Sequence, residues 1–436
     1  MFRNNQVIWW PCAVLALAAT VSAAAEPVAG PSTATTTTAT TLNQAFEAAW
    51  QRQPEALSQQ ARQDAAVAQQ QAATRWTVEP VALELSTKTD RINQNLGRDE
   101  TVAGISIPLW LPGERTRTLA VADAQARAAG SRVRAAQLRT AAQVREAYWA
   151  WARARADHGL AGDLLVHTQQ LAQDVAKRVR AGDMARADQH QADGAVAGAQ
   201  VALAEATAAV ATAEQRLRAL TGLVSQSPTP TATLVATPSA AVAGAEPERT
   251  GPEDAVPLDV DHPAVAELQL SVDVAQRTAE LAQVQTRANP EITLATSRDR
   301  GQRDEAYQHS ITLGIRIPLG SDSRNMAKRA SAQADAIEAE AALRMERERL
   351  QGEVLAARVG LASAQTQLEA AQQRAHLAGE SRAFFQKSYH MGETDLPTRL
   401  RIEREAADAE RQAARAQIDR AAAQSHLRQT LGLLPE

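Results

Sequence analysis

Cysteine is almost absent from this chain. Cys12 is the only one; it lies inside an apolar run at the N-terminus and lacks a small residue before it, so it reads as leader filler and not as a lipid-attachment site. Beyond it the chain has no thiols and no disulfides. Neither sign of charge dominates, with 46 Lys and Arg against 50 Asp and Glu, which gives no support for nucleic-acid binding. Catalytic signatures are missing too: there is no G-x-S-x-G, no Walker loop, no H-E-x-x-H and no Cys cluster. The chain has 8 histidines, and none stands three or four positions from another, so no metal site built from one chain is visible. Neither an enzyme nor a cofactor is expected. Aromatics make up only 3% of the sequence, and proline is missing throughout the stretches between Pro112 and Pro228 and between Pro318 and Pro397. After the N-terminal segment no apolar run is long enough for a transmembrane helix.

What is present is an internal duplication. Glu79-Pro80 answers Asn289-Pro290, and Gly104-Ile105-Ser106-Ile107-Pro108-Leu109 answers Gly314-Ile315-Arg316-Ile317-Pro318-Leu319. Gly182-Asp183 answers Gly392-Glu393, and Leu220-Thr221-Gly222-Leu223 answers Thr430-Leu431-Gly432-Leu433, each pair offset by 210. Gln53-Pro54 answers His262-Pro263 with an offset of 209. A shift this constant means that a whole structural unit is repeated. The first unit spans 42–224 and the second 262–434, joined by a linker over 225–261 rich in Pro, Ala and Thr. Ahead of them, Arg3, the apolar run from Val7 to Val21 and the small residues Ser22 to Ala25 read as a cleaved secretory signal over 1–25. A Thr-rich linker follows over 26–41.

Ala, Gln, Arg and Glu in proline-free runs predict long helices. From Gly113 to Arg180 one helix would extend on the order of 100 Å, and from Asp183 to Leu220 another roughly 55 Å, at 1.5 Å per residue. Val166, Leu171, Val175 and Val179 form a narrow apolar stripe of the coiled-coil kind, as do Leu203, Val210, Leu217 and Leu220. Each repeat also carries a β-hairpin, over about 81–107 and about 291–317. Val81, Leu83 and Leu85 alternate with Ala82, Glu84 and Ser86, and Ile311, Leu313, Ile315 and Ile317 alternate with Thr312, Gly314 and Arg316. Period-two alternation of this kind suits a transmembrane β-strand, though an edge hairpin of a soluble domain shows the same pattern. Secretion, the duplication and Trp76 and Trp110 at one end of the hairpin, where an interfacial girdle would lie, favour the membrane. Four strands cannot close a barrel, and an open edge is not tolerated in lipid, so several chains must share one. Two would give eight strands and three twelve; three makes the better conduit.

The order of helix, β-hairpin, long helix, tip turn and return helix resembles the TolC-type outer membrane factors over nearly the whole chain from Leu42 to Leu434. The Ile-Pro-Leu closing each second strand and the Leu431-Gly432-Leu433 closing the second return helix, with Thr221-Gly222-Leu223 at the first, belong to the same resemblance. It implies a mixed α+β membrane protein: a homotrimer with a 12-stranded β-barrel in the outer membrane, four strands per chain, above a long α-helical coiled-coil tunnel in the periplasm. It further implies two protein partners, a periplasmic adaptor and an inner-membrane resistance-nodulation-division pump.

Site residues follow from the resemblance as well. The tips would dock onto the adaptor through Gly182, Met184, Ala185, Gly392, Thr394 and Leu396. The gate would use Tyr389 and Asp188, hydrogen-bonded between coiled coils. Where the family carries an acidic ring this chain has Thr398 and Arg401; its nearest acids are Glu393 and Asp395. The segment from Tyr389 to Pro397 is similar to the CzcC-type heavy-metal branch. Alternatives are a drug or type I secretion duct and, in a different class, a secreted coiled-coil scaffold without a pore.

Overall fold

The computed structural model describes residues 41–92, 95–223, 262–319 and 322–436. The expected signal segment, Cys12, the N-terminal linker up to residue 40 and the inter-repeat linker lie outside the described residues. Two short helices, α1 (Leu42–Trp50) and α2 (Pro54–Thr74), precede strands β1 (Ala82–Thr89) and β2 (Asp99–Pro108). A long helix α3 (Glu114–Ala181) then turns into α4 (Arg186–Thr221). The second half repeats the pattern with α5 (Pro263–Val284), β3 (Glu291–Arg300), β4 (Gln308–Arg316), α6 (Asp322–Met391) and α7 (Leu396–Thr430).

Helix ends follow local chemistry. Thr41, expected in the flexible linker, is the N-cap of α1 and accepts the Gln44 amide at 3.3 Å. Pro54, Pro263 and Pro397 sit in first turns, where a missing N–H costs nothing. The two tip turns close alike. Gly182 and Gly392 take φ of +88° and +81°, a region open to glycine. At the first, the Asp183 amide reaches back to the Arg178 carbonyl at 2.9 Å; at the second, the Glu393 amide reaches the Ser388 carbonyl at 3.0 Å. These bonds satisfy carbonyls that the ending helices would otherwise orphan.

The helices share no single core. One buried cluster gathers Phe46, Val144, Tyr148, Trp149, Trp151 and Ile418. A second, near the tips, joins Val175, Tyr389, Leu396 and Leu400, with Leu171, Val179 and Met184 against it. A third, beside the strands, is alanine on alanine: Ala279, Ala282, Ala332 and Ala336. Val166, expected in the apolar stripe, is instead half exposed; the seam follows Leu171, Val175 and Val179 only. By length and composition α4 could cross a membrane, contrary to expectation. Its apolarity is mostly alanine, and it packs along α3.

The strands form one antiparallel sheet in the order β1-β2-β3-β4, so the two repeats meet at the β2–β3 ladder. The first hairpin extends beyond the alternating residues: Lys88 and Asp99 also belong to its strands. Strands β1 and β4 are the edges.

Candidate functional site

Two regions at opposite ends of the long helices carry the features a conduit needs. The first is the sheet. Its register places Leu83 opposite Ile105, Ile105 opposite Leu294, and Leu294 opposite Leu313. Side chains alternate along a strand, so these residues share one face with Leu85, Ala103, Ile107, Ile292, Ile311 and Ile315. Leu83, Leu313 and Ile311 are 79%, 75% and 80% exposed. A run of ten apolar side chains broken only by Thr296 has no aqueous explanation and suits lipid. The opposite face carries Glu84, Ser86, Lys88, Glu100, Ser106, Glu291, Thr293, Ser297, Asp299, Ser310, Thr312 and Arg316. Within it Ser106 donates toward Glu291, and Arg316 stands 4.0 Å from the same carboxylate.

Trp76 and Trp110 both lie at the helix-side end of the sheet. Trp76 is 70% exposed, and the Trp110 indole N–H donates to the Arg75 carbonyl at 3.1 Å. An aromatic at the far end escaped the sequence reading. Tyr307 lies there against two guanidiniums, with Arg298 at 3.8 Å and Arg300 at 4.7 Å from its ring centre. Its position in a polar connection, away from the alternating pattern, hid it.

The strands join the helices through a buried carboxylate that sequence gave no reason to single out. Glu114, in the first turn of α3, accepts from the Leu111 amide at 3.0 Å, the Gln285 side chain at 2.9 Å and the Asn289 side chain at 2.6 Å. Asn289 also donates to the Leu109 carbonyl at 3.0 Å. Both halves are tied at this point.

The second region is the paired tips. Tyr389 is buried, with Arg178 over its ring at 4.8 Å and the Arg178 guanidinium donating to its carbonyl at 3.4 Å. Burial pushes the phenol pKa up, with Arg178 partly opposing. Within the chain the Tyr389 hydroxyl meets the Met184 sulfur at 3.5 Å and not Asp188. Asp188 is occupied as a helix cap, accepting the Ala185 amide at 3.1 Å. Gly182, Ala185, Gly392, Glu393, Asp395 and Arg401 are exposed, and Met184 and Thr394 half-buried. Thr394 and Ser388 hydroxyls lie 2.7 Å apart, and Ser388 also donates toward Glu393 at 3.3 Å. Arg401 stands 3.6 Å from Glu405. Leu396, expected on the docking surface, is turned inward at 2% exposure, where it seals the tip cluster.

Behind the tip runs an ion cluster that joins α3 to α6 and α7. Glu403 is buried. It has Arg399 at 3.2 Å, His167 at 3.5 Å and Arg382 at 3.9 Å, and Arg382 reaches on to Glu410 at 2.6 Å. Burial lowers the Arg399 pKa while Glu403 opposes it. The i,i+4 spacing of Arg399 and Glu403 was a legible signal; the partners from α3 and α6 were not. Among the described residues no group of three or more His, Cys, Asp or Glu is placed to hold a metal ion.

The family model described as outer membrane efflux protein matches residues 45–223 and 259–433. No curated protein matches the chain in sequence. Solved structures match in fold. CusC has a TM-score of 0.72 at 16% identity, over 90% of this chain and 92% of that one. VceC of Vibrio cholerae, an outer membrane protein, has 0.68 at 18%, over 90% and 96%. The CmeC outer membrane channel of Campylobacter jejuni has 0.67 at 13%, over 90% and 85%.

Proposed function

The chain belongs to the outer membrane efflux protein family, and from that premise we propose that three copies form the exit duct of a tripartite resistance-nodulation-division system. Its cargo is divalent heavy-metal cations, which pass without covalent chemistry from pump and adaptor to the exterior. The observation that carries the cargo is the polar face of the sheet. With the apolar face toward lipid, the lumen receives the carboxylates of Glu84, Glu100, Glu291 and Asp299 against Lys88 and Arg316. A lumen whose acids outnumber its bases raises the local cation concentration. Exposed Glu393 and Asp395 extend the same sign to the tip.

Adaptor docking falls to the exposed tip residues Gly182, Ala185 and Gly392, with Met184 and Thr394 beside them. The gate rests on Tyr389, with Arg178 and Met184 as its partners inside the chain. Asp188 caps its helix through Oδ2, which leaves Oδ1 to meet a neighbouring copy.

A drug or type I secretion duct is the second reading. It is favoured by Arg401, exposed on the tip helix where an acidic ring was expected. Deletion and complementation separate the two. Loss of zinc, cobalt or cadmium tolerance that the intact gene restores supports the metal reading. Unchanged metal tolerance with lowered resistance to dyes and drugs sinks the metal assignment and leaves the duct standing.

A further inference from the structure

The apolar face of the sheet is not symmetric from end to end. Of the strand residues on that face only Arg298 and Arg300 are basic, and both lie at the hairpin end. The helix-side end of the same face carries Ile107, Ile292 and Ile315, then the two tryptophans. From the level of Trp110, whose neighbour Leu109 bonds the Pro290 carbonyl, to Arg298 is about nine residue steps. At ~3.4 Å per residue and a strand tilt of ~40° this is about 23 Å in height. An outer membrane barrel's apolar band is ~25 Å tall with aromatic girdles at both borders. Tyr307 and its two arginines therefore stand at the external border, at headgroup level, since the helices occupy the periplasmic side.

The cluster is built to leave its cations available. Arg298 lies against the Tyr307 ring at 3.8 Å and is exposed, so the edge of its guanidinium remains free to donate. Arg300 spends its Nε–H on the Gly97 carbonyl at 3.0 Å and keeps its terminal nitrogens. The one acid on this face, Asp99, lies opposite Arg300 and accepts the Tyr307 hydroxyl at 3.4 Å. His309 pairs with Arg298 across the β3–β4 ladder. Thr87 and Thr101 stand on the same rung as Arg298, and Thr296 one same-face position nearer the membrane centre, so hydroxyls lie beside and below the guanidiniums. Paired guanidiniums among hydroxyls on a lipid-facing wall fit a lipid that is both phosphorylated and sugar-based.

We propose that Arg298, Arg300 and Tyr307 form a lipid-facing site for the phosphates of an external-leaflet glycolipid of the lipid A class. The full mature protein in detergent is titrated with bisphosphorylated lipid A, with the same lipid after phosphatase treatment, and with phosphatidylglycerol. Binding is read by native mass spectrometry and by melting temperature. The expected result is at least tenfold tighter binding of bisphosphorylated lipid A than of either other lipid, with a raised melting temperature. In the R298Q/R300Q double variant that preference is lost, while Lys88→Gln on the lumen face keeps it. Equal binding of phosphatidylglycerol shows that any anionic lipid suffices and overturns the glycolipid assignment. Phosphatase treatment without effect on the wild-type protein overturns the site whether or not the double variant folds.

Discussion

Glu403 is the most consequential single carboxylate in the helical region, and its removal has a calculable effect. Its side chain is 6% exposed and that of Arg399 10%. The Arg399 guanidinium lies 3.2 Å from Oε2, a contact of charge without the alignment of a hydrogen bond. At an effective dielectric of ~20, two unit charges at that separation attract by about 5 kcal/mol. Much of this offsets the desolvation of the pair, so the pair itself adds little. Removing one partner is different. Glu403→Gln keeps the shape but leaves Arg399 buried without a counterion and Arg382 with only Glu410, a loss of about 3 kcal/mol. The loss should be local, because the cluster joins α3, α6 and α7 just behind the tip. Hydrogen exchange over 396–410 reads it directly: 3 kcal/mol corresponds to a fall in protection of about 150-fold. Exchange in the sheet should stay unchanged. Arg399→Met with Glu403→Leu, which removes both charges, should restore protection. A change under threefold in Glu403→Gln, or a double variant as loose as the single one, would refute the reasoning.

The face assignment of the sheet is tested by Leu313→Arg, expected to cost about 2–4 kcal/mol of barrel stability as a cation in lipid. Its neighbour Thr312→Arg, on the lumen side, should insert normally and alter conductance instead; equal insertion defects in both would reverse the faces. Gly392→Ala meets no atom within 4 Å of the new Cβ, so only its φ of +81° matters, at about 1 kcal/mol. Adaptor affinity measured by surface plasmon resonance should fall with it, whereas Ser388→Ala, behind the same turn, should change affinity less. His262 caps α5, its Nδ1 accepting the Ala264 amide at 3.3 Å, and burial lowers its pKa below 6.5. The folded state thus favours neutral imidazole, and that contribution is present above pH 6.5 and lost as pH falls through the lowered pKa. Melting followed from pH 7.5 to 5 should show a decline that His262→Asn, still a capping side chain, removes; an unchanged slope would clear His262.

The duplication made the fold readable. Matched Ile-Pro-Leu and Gly-Leu segments at constant spacing located both hairpins and both return helices, and the proline-free runs placed α3 and α6. Alternation located the strands but understated their reach, because Lys88 and Asp99 are polar at the ends of strands whose middles are apolar. The tip turns were visible through Gly182 and Gly392, since a left-handed helix end needs glycine. What joins distant segments was not visible. Glu114 with Asn289, and Glu403 with His167 and Arg382, depend on which helices become neighbours, and no spacing along one helix encodes that. Tyr307 was missed for a similar reason: its arginines reach it from an adjacent strand. Leu396 was assigned outward through the family resemblance, as an apolar residue near the tip glycine, while its side chain had a cluster to fill.

The unpaired margins of β1 and β4 set the molecularity of this protein's assembly. A sheet of four strands with two raw edges cannot enter lipid alone, because every N–H and C=O along those edges would be left without a partner. Insertion is therefore not a property of one chain but an event of several, and where their encounter is the slow step its rate climbs with more than the first power of chain concentration. Low expression slows that encounter, and a monomer still waiting for it carries two unpaired rims and an apolar wall.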